Sequence, residues 1–411
     1  MNRRVLVLTH GFLPWAGANA ERVASLCEHL PSFGWEPLIL CASIDSFHPF
    51  DEPRAAEFWR NWVCERVGDH ATWPVYRAAE AGGMVRPFRG LLTLATGFPD
   101  IYRCWAEQCK AVAERMFLKC QPALVFSTSP PHSIHLVGRR LKERFGIPWI
   151  MDLRDAWRGH RTARYLTPFH RAMADRQYQQ CVGRADRIIA NTDRLAHMIT
   201  GHVGGRADRV HVVTNGYDEG LFAAATPRAL VVDGAKAIVY AGATYEGFVE
   251  STFQEVGRAL ERLEVRDHVR LMIVGESQGV SASSRFGPVS VGYESRAEVP
   301  AILMGAEVLV LVMPAPSKEA GSARVTLKTY GYLRSGRPIV YIGPEGAAWD
   351  LISRFGGTYK FDPGAWDAIG RKLQALCRSR EDWTQERLPA LQAFSWRNLT
   401  GKLAGVFDSV M

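Results

Sequence analysis

No stretch of this chain is apolar for long enough to cross a membrane as a helix. Its richest window, AEVLVLVMPAP from Ala306 to Pro316, falls well short of the roughly 18 continuous apolar residues a span needs. At the start, MNRRVLVLTHG offers only Val5 to Leu8 before polar Thr9 and His10; that run is too short for the core of a signal peptide and reads as a buried first strand. The eight cysteines, at 27, 41, 64, 104, 109, 120, 181 and 377, include no C-x-x-C pair. A zinc site or disulfide framework is therefore not indicated, and structural free thiols in a reducing compartment are expected. Low-complexity tracts are missing as well, and so is a G-x-G-x-x-G turn after the first strand, which argues against a dinucleotide ligand. Aromatics interleaved with clustered Lys and Arg are not found, so nucleic acid is not an expected partner.

What is present is length, apolar content and positive charge. At 411 residues with 47% apolar side chains, the chain can bury more core than one typical domain holds, so two domains are expected. Net charge is +8, and residues 1–220 carry 28 basic against 22 acidic side chains. The N-terminal half is thus the expected contact for anionic partners, whether membrane headgroups or a phosphorylated acceptor, with plain solubilising surface charge as the alternative. Within it Arg154, Arg158, Arg161, Arg164, Arg171 and Arg176 lie close in sequence, with His160 and His170 among them.

Along the chain, short β-branched runs alternate with helical patterns, the mark of parallel β-α-β units. Val5–Leu8, Glu36–Leu40, Leu124–Ser127, Trp149–Asp152, Arg187–Ala190 and His211–Thr214 read as strands, with helices at Ala20–Leu30, Ile134–Phe145 and Thr192–Ile199. Ser43–Asp100, rich in Trp, Arg and Pro, reads as an insertion. After a less patterned stretch near 223–234 the alternation resumes with strands at Ala237–Ala241, Arg270–Val274, Val289–Val291, Val308–Val312 and Ile339–Ile342, and helices at Thr252–Leu263, Val299–Met304 and Leu327–Leu333. The expected architecture is α/β: two Rossmann-like domains facing across a cleft, spanning 1–222 and 223–393, with a C-terminal helix at 394–411 packing back on the first domain. Sites belong at the carboxyl ends of both sets of strands.

Small residues mark two such places. Gly17 and Ala18 follow the first strand and precede a helix, so a ligand can approach backbone N–H groups there, although a tight turn alone also explains Gly17. Gly242-Ala243-Thr244 follows the first strand of the second half, and a diphosphate can lie against that loop. Asp152 and Arg154 alternate at a strand end, so both can face the cleft, or they can belong to a structural ion pair; Asp155 can cap the next helix. His132 is a candidate cleft residue and His135 a packed one.

The N-terminal THGFLPWAGANAERVASLCEHLPSFGWEPLIL, TSPPHSIHLVGRRLKERFGIPWIMDLRDAW, ADRIIANTDRLAHMI and VHVVTNGYDEGLF, followed by AIVYAGATYEG, LMIVGES, VGYESRAEVPAILMGAEVLVLV and RVTLKTYGYLRSGRPIVYIG, resemble retaining glycosyltransferases of family 4, of GT-B type, in the family's order over nearly the whole chain. The resemblance implies that Lys328, at the start of a helix, stabilises a nucleotide-sugar diphosphate, with Arg324 as a second cation. An ordinary surface location is the plain alternative for both. The family's lysine-x-x-glutamate-tyrosine pattern is broken here, because Lys328-Thr329-Tyr330 is followed by Gly331 where a ribose-binding carboxylate is expected. The first acidic position of the paired-glutamate motif falls near Ala323, with only Glu319 close by. Phe248, Glu276, Tyr293, Glu294 and Thr329 complete the donor side.

The expectation is therefore a glycosyltransferase that moves a sugar from a nucleotide diphosphate donor to an acceptor hydroxyl with retained configuration, needing no metal and no cofactor. The alternatives are a non-catalytic sugar-nucleotide-binding or scaffold subunit, prompted by Gly331, or a sugar-nucleotide epimerase on the same fold. The acceptor is unread. Phe47, Phe58, Trp59, Trp62 and Trp73 suit a lipid-linked or aromatic body, as ordinary packing also would. A cytoplasmic location is expected, with peripheral contact to the inner membrane face through the basic N-terminal domain.

Overall fold

The computed structural model describes residues 3–43, 50–68, 98–157, 165, 167–204, 206–230, 234–242, 244, 248–263, 269–275, 286, 288–314, 322–379 and 381–411. The chain divides into two compact units, the first made of Met1–Thr214, Lys318–Arg324 and Arg397–Met411, the second of Asn215–Ser317 and Val325–Trp396. The division falls after Thr214, ahead of the break expected near 223–234. The reason is that Phe222 is buried in the second unit's core and Glu219 forms an ion pair with Arg334.

In the first unit, strands β1 (Arg4–Leu8), β2 (Glu36–Ala42), β3 (Cys64–Val67), β4 (Leu124–Ser129), β5 (Trp149–Leu153), β6 (Arg187–Ala190) and β7 (Val210–Val212) form one sheet in the order β3-β2-β1-β4-β5-β6-β7. Every pairing is parallel, with Leu6 opposite both Leu38 and Val125. The helices are α1 (Ala18–His29), α2 (Glu52–Asn61), α3 (Arg103–Cys120), α4 (Ile134–Phe145), α5 (Pro168–Arg184) and α6 (Asp193–Thr200). Parallel strands covered on both faces need continuous apolar runs rather than alternation, which is why Val5 through Leu8 and Leu38 through Ala42 are all buried. Among its described residues the expected insertion contains α2 and β3. Arg54 ties α2 down through ion pairs of 2.6 Å to Glu21 and Glu28 of α1.

The second unit repeats the plan. Strands β8 (Lys236–Ala241), β9 (Val269–Val274), β10 (Val289–Gly292), β11 (Val308–Val312), β12 (Ile339–Ile342) and β13 (Thr358–Phe361) pair in the order β10-β9-β8-β11-β12-β13, all parallel. Helices α7 (Glu219–Ala224), α8 (Phe248–Arg262), α9 (Val299–Gly305), α10 (Lys328–Arg334), α11 (Ala347–Ile352), α12 (Trp366–Ser379) and α13 (Thr384–Leu391) connect them. Alternate strand residues separate the two cores: Ile238 and Tyr240 pack with Phe253, Leu260 and Leu373, while Ala237, Val239 and Ala241 pack with Tyr330 and Leu333. A last helix, α14 (Trp396–Asp408), belongs from Arg397 onward to the first unit. Its Phe407 ring lies 5.3 Å from that of Trp35 and 5.5 Å from that of Phe126.

In each sheet the strand order reverses once, between β1 and β4 and between β8 and β11. The crevice outside the carboxyl ends of such neighbouring strands is where open parallel sheets take their ligands.

Candidate functional site

The second unit's switch point brings together the residue after β8 and the connection from β11 to β12. Gly242, just past β8, has φ +137°, a backbone conformation that side chains disfavour. A Cβ there would come within 2.3 Å of Lys328 Nζ. The same ammonium lies 3.8 Å from the centroid of the Tyr240 ring, so a buried strand aromatic supports it from one side. Lys328 opens α10, is partly buried, and among the described residues has no carboxylate partner. Burial pushes its pKa down to about 7. A cation held in a low-dielectric place without a counter-ion costs free energy in the empty protein and is free to receive an anion.

Neighbouring groups fix this place. Tyr332, one turn along α10, accepts a 2.7 Å hydrogen bond on its hydroxyl from the Ala241 backbone N–H, so the helix and the end of β8 are joined. Gly275 follows β9 with φ +134°, and a Cβ there would lie 2.9 Å from the carbonyl carbon and oxygen of Gly242, so the two loop backbones touch. The Gly242 N–H donates to the Val274 carbonyl at 2.7 Å. Thr244 is buried, and its hydroxyl has no hydrogen-bond partner among the described residues. Tyr240 and Gly275 are parts of this site that sequence reasoning did not name, and Tyr332 was named only as the tyrosine of the family's lysine-x-x-glutamate-tyrosine pattern. Tyr240 looks like any apolar strand residue, and the glycine of LMIVG was the one available signal.

Other expected donor-side residues fall differently. Thr329 is fully buried and its hydroxyl lies 3.0 Å from that of Thr326, so it faces the protein rather than a ligand. Tyr293, after β10, is 46% exposed. Glu294 is engaged by Arg228 at 2.9 Å, and Phe248 packs against the core from the start of α8. Ala243, Glu276 and Glu319 lie outside the described residues. Gly331 sits inside α10, where a Cβ would meet Leu303 Cδ1 at 3.4 Å and Phe222 Cζ at 3.7 Å. The position thus looks onto apolar side chains.

In the first unit, the structure corrects several expectations. Asp152 is fully buried, 3.2 Å from equally buried Arg22 of α1, and accepts a 2.7 Å hydrogen bond from Thr128. Arg22 also donates to the carbonyls of Val213 and Thr214. Arg154, 6% exposed, spends its guanidinium on the carbonyls of Ser129, Asn19 and Pro130, and burial lowers its pKa to about 10. Both residues brace the carboxyl ends of β4 and β5, so neither presents a free cleft-facing charge, and Arg154 is no part of a surface basic cluster. His132 is completely buried with its ring stacked 5.0 Å from Trp157. His135 is buried as expected; its Nδ1 lies 2.8 Å from Ser127 Oγ and desolvation drives its pKa to about 3.

Gly17 precedes α1 in extended conformation, and a Cβ on it would strike the Trp15 ring at 2.2 Å; Gly11 meets the same ring at 2.3 Å. Close approach of Trp15 is therefore what these glycines permit, while Ala18 at the first position of α1 is exposed. Arg324 does not share the helix of Lys328: it lies in the first unit, 3.4 Å from Asp155, beside Ala323 whose carbonyl accepts from Thr192. Asp155 thus pairs with Arg324, and the next described helix, α5, is capped by Thr167. Of the expected aromatic body, Phe58 is core, 2% exposed against Phe12, whereas Trp59 and Trp62 are partly buried. Phe47, Trp73, Arg158, His160, Arg161 and Arg164 lie outside the described residues.

Residues 17–216 match the family described as glycosyl transferase 4-like domain. No curated protein matches the sequence. A glycosyltransferase from Rickettsia africae superposes with TM-score 0.64 at 13% identity, covering 99% of this chain and 98% of that one. The lipopolysaccharide outer core galactosyltransferase WaaB, in its apo form, gives 0.61 at 13% identity over 99% and 100% of the two chains. The E. coli trehalose-6-phosphate structure bound with UDP-2-fluoro glucose gives 0.63 at 10% identity over 98% of each. These likenesses fix the fold as the two-domain α/β GT-B type, and residues 17–216 carry a glycosyl transferase 4-like domain.

Proposed function

We propose that this enzyme transfers a sugar from a nucleotide diphosphate sugar to an acceptor hydroxyl with retention of anomeric configuration, and that Lys328 receives the donor's diphosphate. The observation that carries this reading is the ammonium of Lys328, poised over Tyr240 beside Gly242 with no carboxylate to neutralise it among the described residues. As the glycosidic bond breaks, charge builds on the departing diphosphate, and a pre-placed cation in a desolvated site stabilises that charge without reorganising. The acceptor attacks from the face the diphosphate leaves, and the departing phosphate takes its proton, so no carboxylate base is required of the protein. Neutralisation by Lys328 makes a metal unnecessary in this scheme.

Gly331 leaves the ribose without the carboxylate that the family pattern supplies, so the ribose is held through other groups. A thermal-shift screen against uridine, guanosine, thymidine and adenosine diphosphates tests the site. Stabilisation by one of them, lost in Lys328→Ala, supports it; no response to any of the four favours a non-catalytic role. The acceptor side and a peripheral membrane contact belong to the same proposal. Phe169, 67% exposed on α5, stands near exposed Arg171 and Arg176, a combination suited to an anionic surface at the cytoplasmic face. Co-sedimentation with vesicles containing anionic lipid, compared with neutral vesicles, reads that contact directly.

A further inference from the structure

Two of the eight cysteines meet in the first unit. Cys41 lies on β2 and Cys64 opens β3, the edge strand, with their sulfurs 3.7 Å apart in hydrogen-bond contact. Ile39 is the register partner of Cys64, and since side chains alternate along a strand, Cys41 points to the same face as both. Cys41 is buried while Cys64 is half exposed. One sulfur of the pair is therefore reachable from solvent and the other is shielded directly behind it.

We propose that Cys41 and Cys64 form a reversible dithiol and disulfide couple, with Cys64 the sulfur first attacked by oxidant and Cys41 the one that resolves it. The hydrogen bond from Cys41 holds the Cys64 thiol below its ordinary range and nearby Arg66 adds to this, while the same hydrogen bond and burial push Cys41 up. Thiolate character of this kind concentrates at the exposed partner, where it raises reactivity. With hydrogen peroxide, the Cys64 thiolate displaces hydroxide from the peroxide and becomes a sulfenic acid. The Cys41 sulfur then attacks the Cys64 sulfur, gives up its proton, and the hydroxyl leaves as water. In sum, two thiol hydrogens and two electrons pass to one peroxide, yielding two waters and one S–S bond. A sulfur separation of 3.7 Å has to contract to about 2.05 Å. The contraction falls on a four-residue strand that, among the described residues, is paired on one side only.

The test treats the full chain with hydrogen peroxide and, separately, with oxidised glutathione, then maps peptides by mass spectrometry without reduction. The expected product is a Cys41–Cys64 cross-linked peptide, lighter by two hydrogens and restored by dithiothreitol, with titratable thiols falling from eight to six. It forms faster than any adduct at half-buried Cys104 and Cys120, and it raises the unfolding midpoint by several degrees because the cross-link constrains the unfolded chain. Cys64→Ser, at the more exposed position, leaves Cys41 reduced under the same treatment. Accumulation of Cys64 sulfinic acid or a stable glutathione adduct with Cys41 still free overturns the proposal, as does a Cys64 cross-link to Cys27 or Cys109 in place of Cys41.

Discussion

Replacing Lys328 by methionine has opposite consequences for ligand binding and for stability, and the two signs together test why the lysine is there. In the empty protein its pKa falls from 10.5 to about 7 through desolvation alone. A folded-state pKa below the unfolded one means the folded protein holds fewer protons between the two values. Stability therefore rises with pH from about 7 to about 10.5, and below about 7 the full penalty of burying the charge is present. The shift corresponds to at most about 5 kcal/mol. Part of the side chain still meets water, and the contact with Tyr240 offsets some of the cost, so Lys328→Met is expected to stabilise by about 1–2 kcal/mol at pH 7. For a unit of this size that is a rise of a few degrees in unfolding midpoint.

Binding moves the other way. A diphosphate that needs the ammonium binds in proportion to the protonated fraction, which falls from about one half at pH 7 to about one hundredth at pH 9, so the dissociation constant rises about 50-fold over that interval. The terminal phosphate, with a second pKa of about 6, stays largely ionised throughout. Calorimetric titration with the responding nucleoside diphosphate at pH 7, 8 and 9, in buffers of different ionisation enthalpy, measures both the affinity and the proton taken up. Lys328→Met should bind at least about 30-fold more weakly at pH 7, the loss expected when one partner of a desolvated charge pair is removed. An affinity that is flat from pH 7 to 9, or a methionine variant that binds like the wild type, refutes the reasoning.

Gly331→Ala should stabilise by about 0.5–1 kcal/mol in chemical denaturation, because alanine is preferred in a helix interior and its Cβ would meet only Leu303 and Phe222 at ordinary contact distance; a loss of stability would show that the glycine is there for close packing. Asp152→Asn leaves buried Arg22 without its charge partner and should cost about 3 kcal/mol in denaturant unfolding, while nucleotide affinity of the remaining folded protein is unchanged. Gly242→Ala forces a strained backbone and drives a methyl group to within 2.3 Å of Lys328 Nζ. Nucleotide affinity measured by the same titration should drop about tenfold or more.

The alternation of strands and helices was readable because parallel strands buried on both faces are continuous apolar runs: Arg187–Ala190, Val308–Val312 and Ile339–Ile342 coincide with β6, β11 and β12. β3 was not readable. CERV is a short edge strand with only Val67 buried, so its polar positions look like loop. α2 was hidden for the related reason that its N-cap Asp51 and Pro53 stand in a stretch whose aromatics and prolines suggested an irregular insertion. At the site, Gly242 was readable from its place after a strand, and Lys328 from the start of its helix together with the family resemblance. The residues that misled were charged ones at strand ends. Asp152 and Arg154 look like cleft residues in one dimension, and only the third shows Arg22 and the carbonyls of Ser129, Pro130 and Asn19 already satisfying them. Gly17 misled similarly, since the group crowding it, Trp15, is two residues away and not a ligand. Arg324 belongs to the first unit and pairs there with Asp155, because Lys318–Arg324 is grouped with that unit, an assignment that leaves no mark in periodicity.

The most direct measurement is proton NMR of the wild-type enzyme and Lys328→Met with each of a panel of nucleotide diphosphate sugars, following the anomeric signals in real time. The account predicts that wild-type enzyme releases a nucleoside diphosphate from one donor, that the sugar first appears with the donor's anomeric configuration whether water or an added alcohol accepts it, and that the methionine variant does neither above buffer. Appearance of the opposite anomer first, a change in sugar stereochemistry with no nucleoside diphosphate released, or equal turnover by Lys328→Met would contradict it.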